Sequence, residues 1–249
     1  MRRFLKAELN TVIRKPKLYV LLGIMFALYI IGLVVYFATN KSIDITLQMV
    51  VAAYTILAII LVSDITHKEY KFRTMKNLIG SGFTRSQIYV GKLIITMIVA
   101  FLFAVIEQLM EIVYCVIRGD LAESFFWQTD LVDIVRQMCM FVIIFIICML
   151  ITSDGLSLLA AFAYAMLLGP ILMFAGPLVH LSEKALERIS AATMISSSLY
   201  IKNTMSKDGL TVIKSEIVTS ELIWWGIGII VAILALQLGY MVFKRKEFK

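Results

Sequence analysis

The chain has 249 residues, of which 61% are hydrophobic and only 16% charged, and 24 Lys and Arg outweigh 17 Asp and Glu for a formal net charge of +7. A soluble domain carries about 25% charge, so this composition excludes an ordinary water-soluble fold and points to an integral membrane protein. No basic domain stands apart from the apolar runs, which argues against a nucleic-acid-binding module and fits basic loops at one membrane face.

Residues 1–16 mix Arg2, Arg3, Lys6, Arg14 and Lys15 with Phe4, Leu5, Leu9, Val12 and Ile13. The apolar set falls on one helical face, which predicts an interfacial helix lying on the bilayer and ended by Pro16. A signal peptide is the competing reading. The charged region is long, the apolar run after it is about a full span and no small-residue cleavage site follows, so the segment is expected to remain as an anchor. Residues 17–65 hold the first two spans, Lys17–Thr39 and Ile45–Ile65, joined by so short a link that they form an antiparallel hairpin. Residues 66–83 are polar and basic.

Spans three to five occupy 84–175. The apolar run Ile88–Ile117 is longer than the ~20 residues that cross the hydrocarbon core. After a polar loop, Asp130 is the expected N-cap of the fourth span, Leu131–Ile151. The turn Thr152-Ser153-Asp154-Gly155 leads to the fifth span, Leu156–Ala175, which Gly169-Pro170 and Gly176-Pro177 interrupt or end. Residues 176–220 are too polar to span and are expected as an external loop with an amphipathic piece at Leu181–Ile189. Ser220 is the expected cap of the sixth span, 221–243, with Trp224 and Trp225 at one interface and Tyr240 at the other; residues 244–249 form a tail. The expected fold is an all-α integral membrane protein, a single transmembrane domain of six transmembrane helices with an N-terminal interfacial helix.

Six spans put both termini on the side of the 66–83 segment. That side holds 16 of the 24 basic residues, and the other holds 8: Lys41, Arg118, Arg136, Lys184, Arg188, Lys202, Lys207 and Lys214. The positive-inside bias makes the first side cytoplasmic.

The densest polar stretch, Asp64–Lys92, carries its own punctuation. Phe72, Met75 and Ile79 stand at i, i+3 and i+7, which predicts a short amphipathic helix from His67 to Ile79. Gly80-Ser81-Gly82 ends it. Thr84 with Gln87 has the spacing of a capping box, and Phe83 with Ile88 that of a hydrophobic staple, so the third helix is expected to begin at Thr84. Two readings stand for this short cytosolic helix between spans 2 and 3. Its lysines could tether the loop to anionic lipid, which needs only charge, or the ordered helix could dock a soluble partner; a tether does not require a glycine stop and a capped restart.

Catalytic chemistry is hard to find. Gly91-Lys92 resembles the end of a P-loop, but Ser86 and Leu93 stand where Gly and Ser/Thr are needed. Gly155-Leu156-Ser157-Leu158-Leu159 lacks the closing glycine of a nucleophile elbow. Cys115, Cys139 and Cys148 match no metal pattern, and His67 and His180 are expected on opposite sides of the membrane, against a histidine metal centre. Within the membrane, Glu107, Gln108 and Glu111 on span three face Asp133, Arg136 and Gln137 on span four, with Arg136 expected to reach a Glu107 or Glu111 carboxylate. Such groups pair structurally or line a watery path, and a surplus carboxylate would suit a cationic substrate.

The run Glu69-Tyr70-Lys71-Phe72-Arg73-Thr74-Met75-Lys76-Asn77-Leu78-Ile79, then Gly82-Phe83-Thr84-Arg85-Ser86-Gln87-Ile88-Tyr89 and Gly91-Lys92, resembles the six-span membrane subunits of ABC-2-type ATP-binding-cassette transporters, particularly the small bacterial permeases of peptide, lantibiotic and bacteriocin export or immunity. Arg73 stands where the family often has glycine. The resemblance extends to the layout of spans and external loop. It implies a coupling helix seated in a cleft of a cytosolic ATPase, contacted through Glu69, Arg73, Lys76 and Arg85 with Phe72 and Met75 as apolar anchors. It also implies a dimer of permeases, identical or paralogous, in the bacterial plasma membrane, with ATP and Mg on the partner ATPase and no cofactor or catalytic site on this chain. The substrate would be hydrophobic or amphipathic, such as an antimicrobial peptide. The alternative is an ATP-independent membrane sensor or a gradient-driven carrier; a carrier is expected to show paired broken helices in two halves, and only the fifth span is interrupted.

Overall fold

The computed structural model describes residues 2–39, 44–71, 75–118, 127–168, 170–171, 182–194, 201–205, 212–218 and 221–245. In chain order the elements are α1 (Arg2–Arg14), α2 (Pro16–Thr39), α3 (Asp44–Lys71), α4 (Met75–Gly80), α5 (Arg85–Arg118), α6 (Trp127–Leu150), α7 (Asp154–Phe162, continued by a π turn Ala163–Leu167), α8 (Glu183–Ala192), β1 (Ile201–Met205), β2 (Val212–Ile217) and α9 (Leu222–Arg245). Among the described residues, four stretches are long and apolar enough to cross a membrane: Pro16–Val34, Arg85–Met110, Leu131–Leu150 and Leu222–Arg245. They coincide with the first, third, fourth and sixth expected spans. The second falls on α3, whose 28 residues make a rod of about 42 Å at 1.5 Å per residue. The fifth falls on α7, a shorter apolar helix over Asp154–Leu167.

α3 is the hub, packing against α2, α5, α6 and α7. Leu57, Ala58, Leu61, Val62 and Ile65 interleave with Ile95, Val99 and Phe103 of α5 and with Met140, Phe141 and Ile144 of α6 in one buried cluster. A second cluster joins Phe4, Met75, Ile88, Tyr89, Phe145, Met149 and Phe243 at one end of the bundle. Outward faces are apolar as well: Val20, Ile30, Ile31 and Val34 of α2 and Ile223, Ile230 and Leu238 of α9 are exposed. Water would penalise such a surface, whereas hydrocarbon matches it, and this inversion marks a helical membrane protein.

Several boundaries depart from expectation. Of the short helix expected over His67–Ile79, the residues up to Lys71 belong to α3, Met75–Gly80 form α4, and 72–74 lie outside the described residues; extending α3 is cheaper than nucleating a new helix at His67. α6 starts at Trp127, so Asp130 lies in its first turn rather than at its cap. Asp154 and Gly155, expected in a turn, open α7 after Ser153. The expected cap Ser220 lies outside the described residues. The expected external loop contains α8, capped by the Ser182 hydroxyl accepting from the Ala185 N–H at 3.3 Å, and an antiparallel hairpin pairing Ile201 with Ile217 and Met205 with Val212. That hairpin adds a strand pair to an otherwise helical fold.

α1 does not rest on its apolar side against lipid. Phe4 and Val12 are buried in the protein, with Glu8 on the same stripe, while Ile13 remains exposed. The spacing i, i+4, i+8 forms one helical face, and here that face is the seam with the bundle.

Candidate functional site

The join between α4 and α5 is closed by local hydrogen bonds on both sides. Gly82 adopts φ 89°, the left-handed conformation that glycine tolerates without a Cβ penalty. The Phe83 N–H donates to the Leu78 carbonyl at 3.3 Å and the Gly82 N–H to the Ile79 carbonyl at 3.0 Å. These two bonds are the paired closure of a Schellman motif, with Phe83 and Leu78 as its apolar contact. One residue later the reciprocal capping box forms: the Thr84 N–H donates to Gln87 Oε1 at 3.0 Å and the Gln87 N–H to Thr84 Oγ1 at 3.2 Å. Phe83 therefore serves two motifs, ending α4 and stapling the start of α5 beside Ile88.

The turn is seated on three other helices. Phe83 meets Phe4 of α1 with ring centroids 5.3 Å apart. Tyr89 packs edge-on to Phe145 of α6 at 5.2 Å and against Tyr240 and Phe243 of α9 at 5.5 and 5.4 Å. Ser86 and Tyr240 share a hydrogen bond between their hydroxyls, and the Arg85 guanidinium donates to the Lys244 carbonyl at the end of α9. Of the expected docking residues, Lys76 is exposed beside Asn77 and Gly80. Met75 is not an outward anchor: it is 3% exposed and faces the chain's own core, where it holds α4 down. Glu69 lies in the last turn of α3. Phe72 and Arg73 lie outside the described residues.

Behind the join runs a polar seam whose members lie far apart in sequence. Lys92 is fully buried, and its ammonium donates to the Ile65 carbonyl at 2.6 Å. Asp64 receives Lys15 and, at 3.4 Å, Lys17, while Lys68 approaches Glu8 at 3.9 Å. The Ser63 hydroxyl donates to Asp154 Oδ1 at 3.2 Å. These contacts gather α1 and the α1–α2 elbow, the end of α3, α5 and the start of α7 at one end of the bundle. Period-3.6 patterning could have flagged Glu8, since it interrupts the Phe4–Val12 stripe; Asp154 carried no such signal.

At the other end, the intramembrane polar set gathers around Asp133 of α6. Arg136 pairs with Asp133 of its own helix, Nε to Oδ1 at 2.7 Å, and also donates to the Met194 carbonyl at 3.1 Å. An i, i+3 neighbour lies on the same face of the helix and within reach of the guanidinium. Gln137 bridges the helices, its amide donating to Asp133 Oδ2 at 3.1 Å and to Glu107 Oε2 at 3.4 Å. Gln108 is half-buried one position on, and Glu111 lies a turn further along α5. Tyr29 and Tyr54 close this end by donating to the Met110 carbonyl and sulfur, each at 2.9 Å.

Comparison with protein-family models and with curated proteins finds no match for this chain. Among the described residues no three His, Cys, Asp or Glu side chains gather as a metal site. What the geometry offers is mechanical: a rigid, doubly capped turn whose inner side is locked into α1, α5, α6 and α9.

Proposed function

We propose that this chain is the membrane-spanning subunit of an ATP-powered exporter of the ABC-2 type. In this reading it has six spans, with both termini and the join at the cytoplasmic face of a bacterial plasma membrane. The observation that carries it is the double cap at Leu78–Gln87. A lipid tether needs only charge near headgroups, whereas a turn that must transmit a push has to resist bending, and both ends of this one are tied by backbone hydrogen bonds. Lys76 stands outward on it; Glu69 and Arg73 flank it in sequence. Movement of a cytosolic ATPase against this surface would reach α5 and α9 together through the Arg85 contact to the Lys244 carbonyl.

ATP and Mg belong to the partner ATPase, and a second permease chain, identical or paralogous, completes the assembly. At the far end, ionisable groups within the membrane such as Glu107 would suit a path for a cationic amphipathic peptide.

The test is ATP-dependent uptake of such a peptide into inverted vesicles, with co-purification of a nucleotide-binding subunit. Reversing the charges of Glu69 and Arg73 together is expected to cut ATP-dependent uptake about tenfold or more, the effect of ~1.4 kcal/mol lost at an interface, while leaving the protein in the membrane. Unchanged co-purification and uptake in that variant would refute the assignment.

A further inference from the structure

Two clefts meet where α3 passes the start of α7. One, of about 210 Å3, has Lys15, Lys17, Asp64, Lys68 and Asp154 as its charged lining. The other, of about 250 Å3, is an apolar groove between Ile56 and Ile60 of α3 and Gly155, Leu158 and Phe162 of α7. Asp154 lines the first and Gly155 the second, and the Ser63 hydroxyl donating to Asp154 Oδ1 at 3.2 Å ties the two helices at that boundary. From Gly155 to Phe162 the groove follows α7 for about 10 Å, at 1.5 Å per residue. The charged cleft stands where spans end, with Pro16 opening one and Leu150 closing another, which is the level of lipid headgroups.

The charged lining is mixed rather than basic. Lys15 and Lys17 share Asp64, and Lys68 faces Glu8; with Asp154, three lysines stand against three carboxylates. The exposed members are one of each sign, the Lys17 side chain at 45% and Asp154. An ammonium has three N–H donors and a carboxylate about four acceptor sites, so the contacts to Asp64 and from Ser63 leave both groups able to take a further partner. A ligand that offers a phosphate to Lys17 and an amine to Asp154 satisfies the pair. A purely anionic one would set its charge beside Asp64 and Asp154.

We propose that the two clefts form one site for a phospholipid with a primary-amine headgroup, phosphatidylethanolamine. Its phosphate sits on Lys17, its ammonium on Asp154, and one acyl chain lies in the α3–α7 groove. Lipid tails are as apolar as the groove, so burial of the chain adds no hydrophobic gain over the bilayer. The chain supplies fit and the headgroup supplies selection. A choline headgroup has no N–H to donate to Asp154, and a glycerol headgroup has no cation for it. Leu156 and Leu159, 57% and 63% exposed on α7, leave the groove open to the bilayer for entry. So bound, the lipid bridges the start of α2 to the start of α7.

The full-length protein in detergent is titrated with phosphatidylethanolamine, with its N-methylated derivatives through phosphatidylcholine, and with phosphatidylglycerol, and bound lipid is counted by native mass spectrometry. Phosphatidylethanolamine is expected to bind about fivefold more tightly than phosphatidylcholine or phosphatidylglycerol, the scale of one partly exposed charge contact. Asp154→Asn, which keeps an oxygen for the Ser63 hydroxyl, is expected to erase that preference, and Lys17→Gln to weaken all three lipids. Gly155→Leu, at a position where an added Cβ meets nothing within 4 Å, is expected to fill the groove and lower retention of every lipid without lowering the thermal midpoint. Equal binding of phosphatidylethanolamine and phosphatidylcholine in the parent, tighter binding of phosphatidylglycerol, or a preference that survives Asp154→Asn would overturn the proposal. If Asp154→Asn does not fold, the methylated series in the parent decides alone.

Discussion

Gly80 and Gly82 stand two residues apart on the same exposed turn, and alanine at either would meet nothing within 4 Å. Sterics with neighbours therefore cancel from the comparison, leaving backbone conformation alone. Gly82 sits at φ 89°, where an L side chain costs about 1–2 kcal/mol, whereas Gly80 is helical at the end of α4, where replacing glycine gains about 0.5–1 kcal/mol. Gly82→Ala should loosen the closure that the Phe83 N–H makes to the Leu78 carbonyl, and Gly80→Ala should tighten it. Local opening read by amide hydrogen exchange at Phe83 should accelerate about fivefold or more in Gly82→Ala, the factor for ~1 kcal/mol. In Gly80→Ala it should slow by about two- to fivefold. Equal effects in the two variants, or no change in Gly82→Ala, would refute the claim that a left-handed glycine closes this join. Reduced transport in Gly82→Ala without loss of membrane protein would link that rigidity to function.

Two further expectations concern the bundle. Gly239→Ala places a Cβ 2.7 Å from Ile146 Cγ2 and 3.1 Å from the Tyr89 hydroxyl, whereas Gly226→Ala meets nothing within 4 Å; overpacking of 1–3 kcal/mol should lower the thermal midpoint by roughly 3–10 °C in the first and leave the second near the parent, and matching midpoints would contradict the close approach of α9 to α6. Arg136→Gln strips Asp133 of its guanidinium and the Met194 carbonyl of a donor; with the pair 13% and 23% exposed, a loss of about 2 kcal/mol is expected, discounted from a fully buried pair. Adding Asp133→Asn should restore part of it in a double-mutant cycle, and strict additivity would show that the two do not interact.

Much of the join was legible in the residues. Thr84 and Gln87 bond reciprocally as their spacing implied, and Gly82 turns left-handed after α4, because caps and glycine stops are local devices whose partners lie within a few residues. The same locality misleads where two helices compete for one stretch: Met75 has the spacing of an outward anchor, yet the pocket formed by Phe4, Ile88 and Phe145 draws it inward. Arg136 likewise reaches the Met194 carbonyl, 58 residues away, a contact that no local spacing encodes.

By itself the amino-acid order determined that the chain is a helical membrane protein, where four of its apolar stretches lie, and how the turn between α4 and α5 is closed, since these follow from hydropathy and from contacts a few residues apart. Only the tertiary structure decided that α1 buries Phe4 and Val12 against the bundle, that Lys92 reaches the Ile65 carbonyl, and that His67 stands between the carbonyls of Ser63 and Ile151. Those contacts join residues distant in sequence, and a buried polar group takes whichever partner the packing of apolar neighbours brings within about 3 Å.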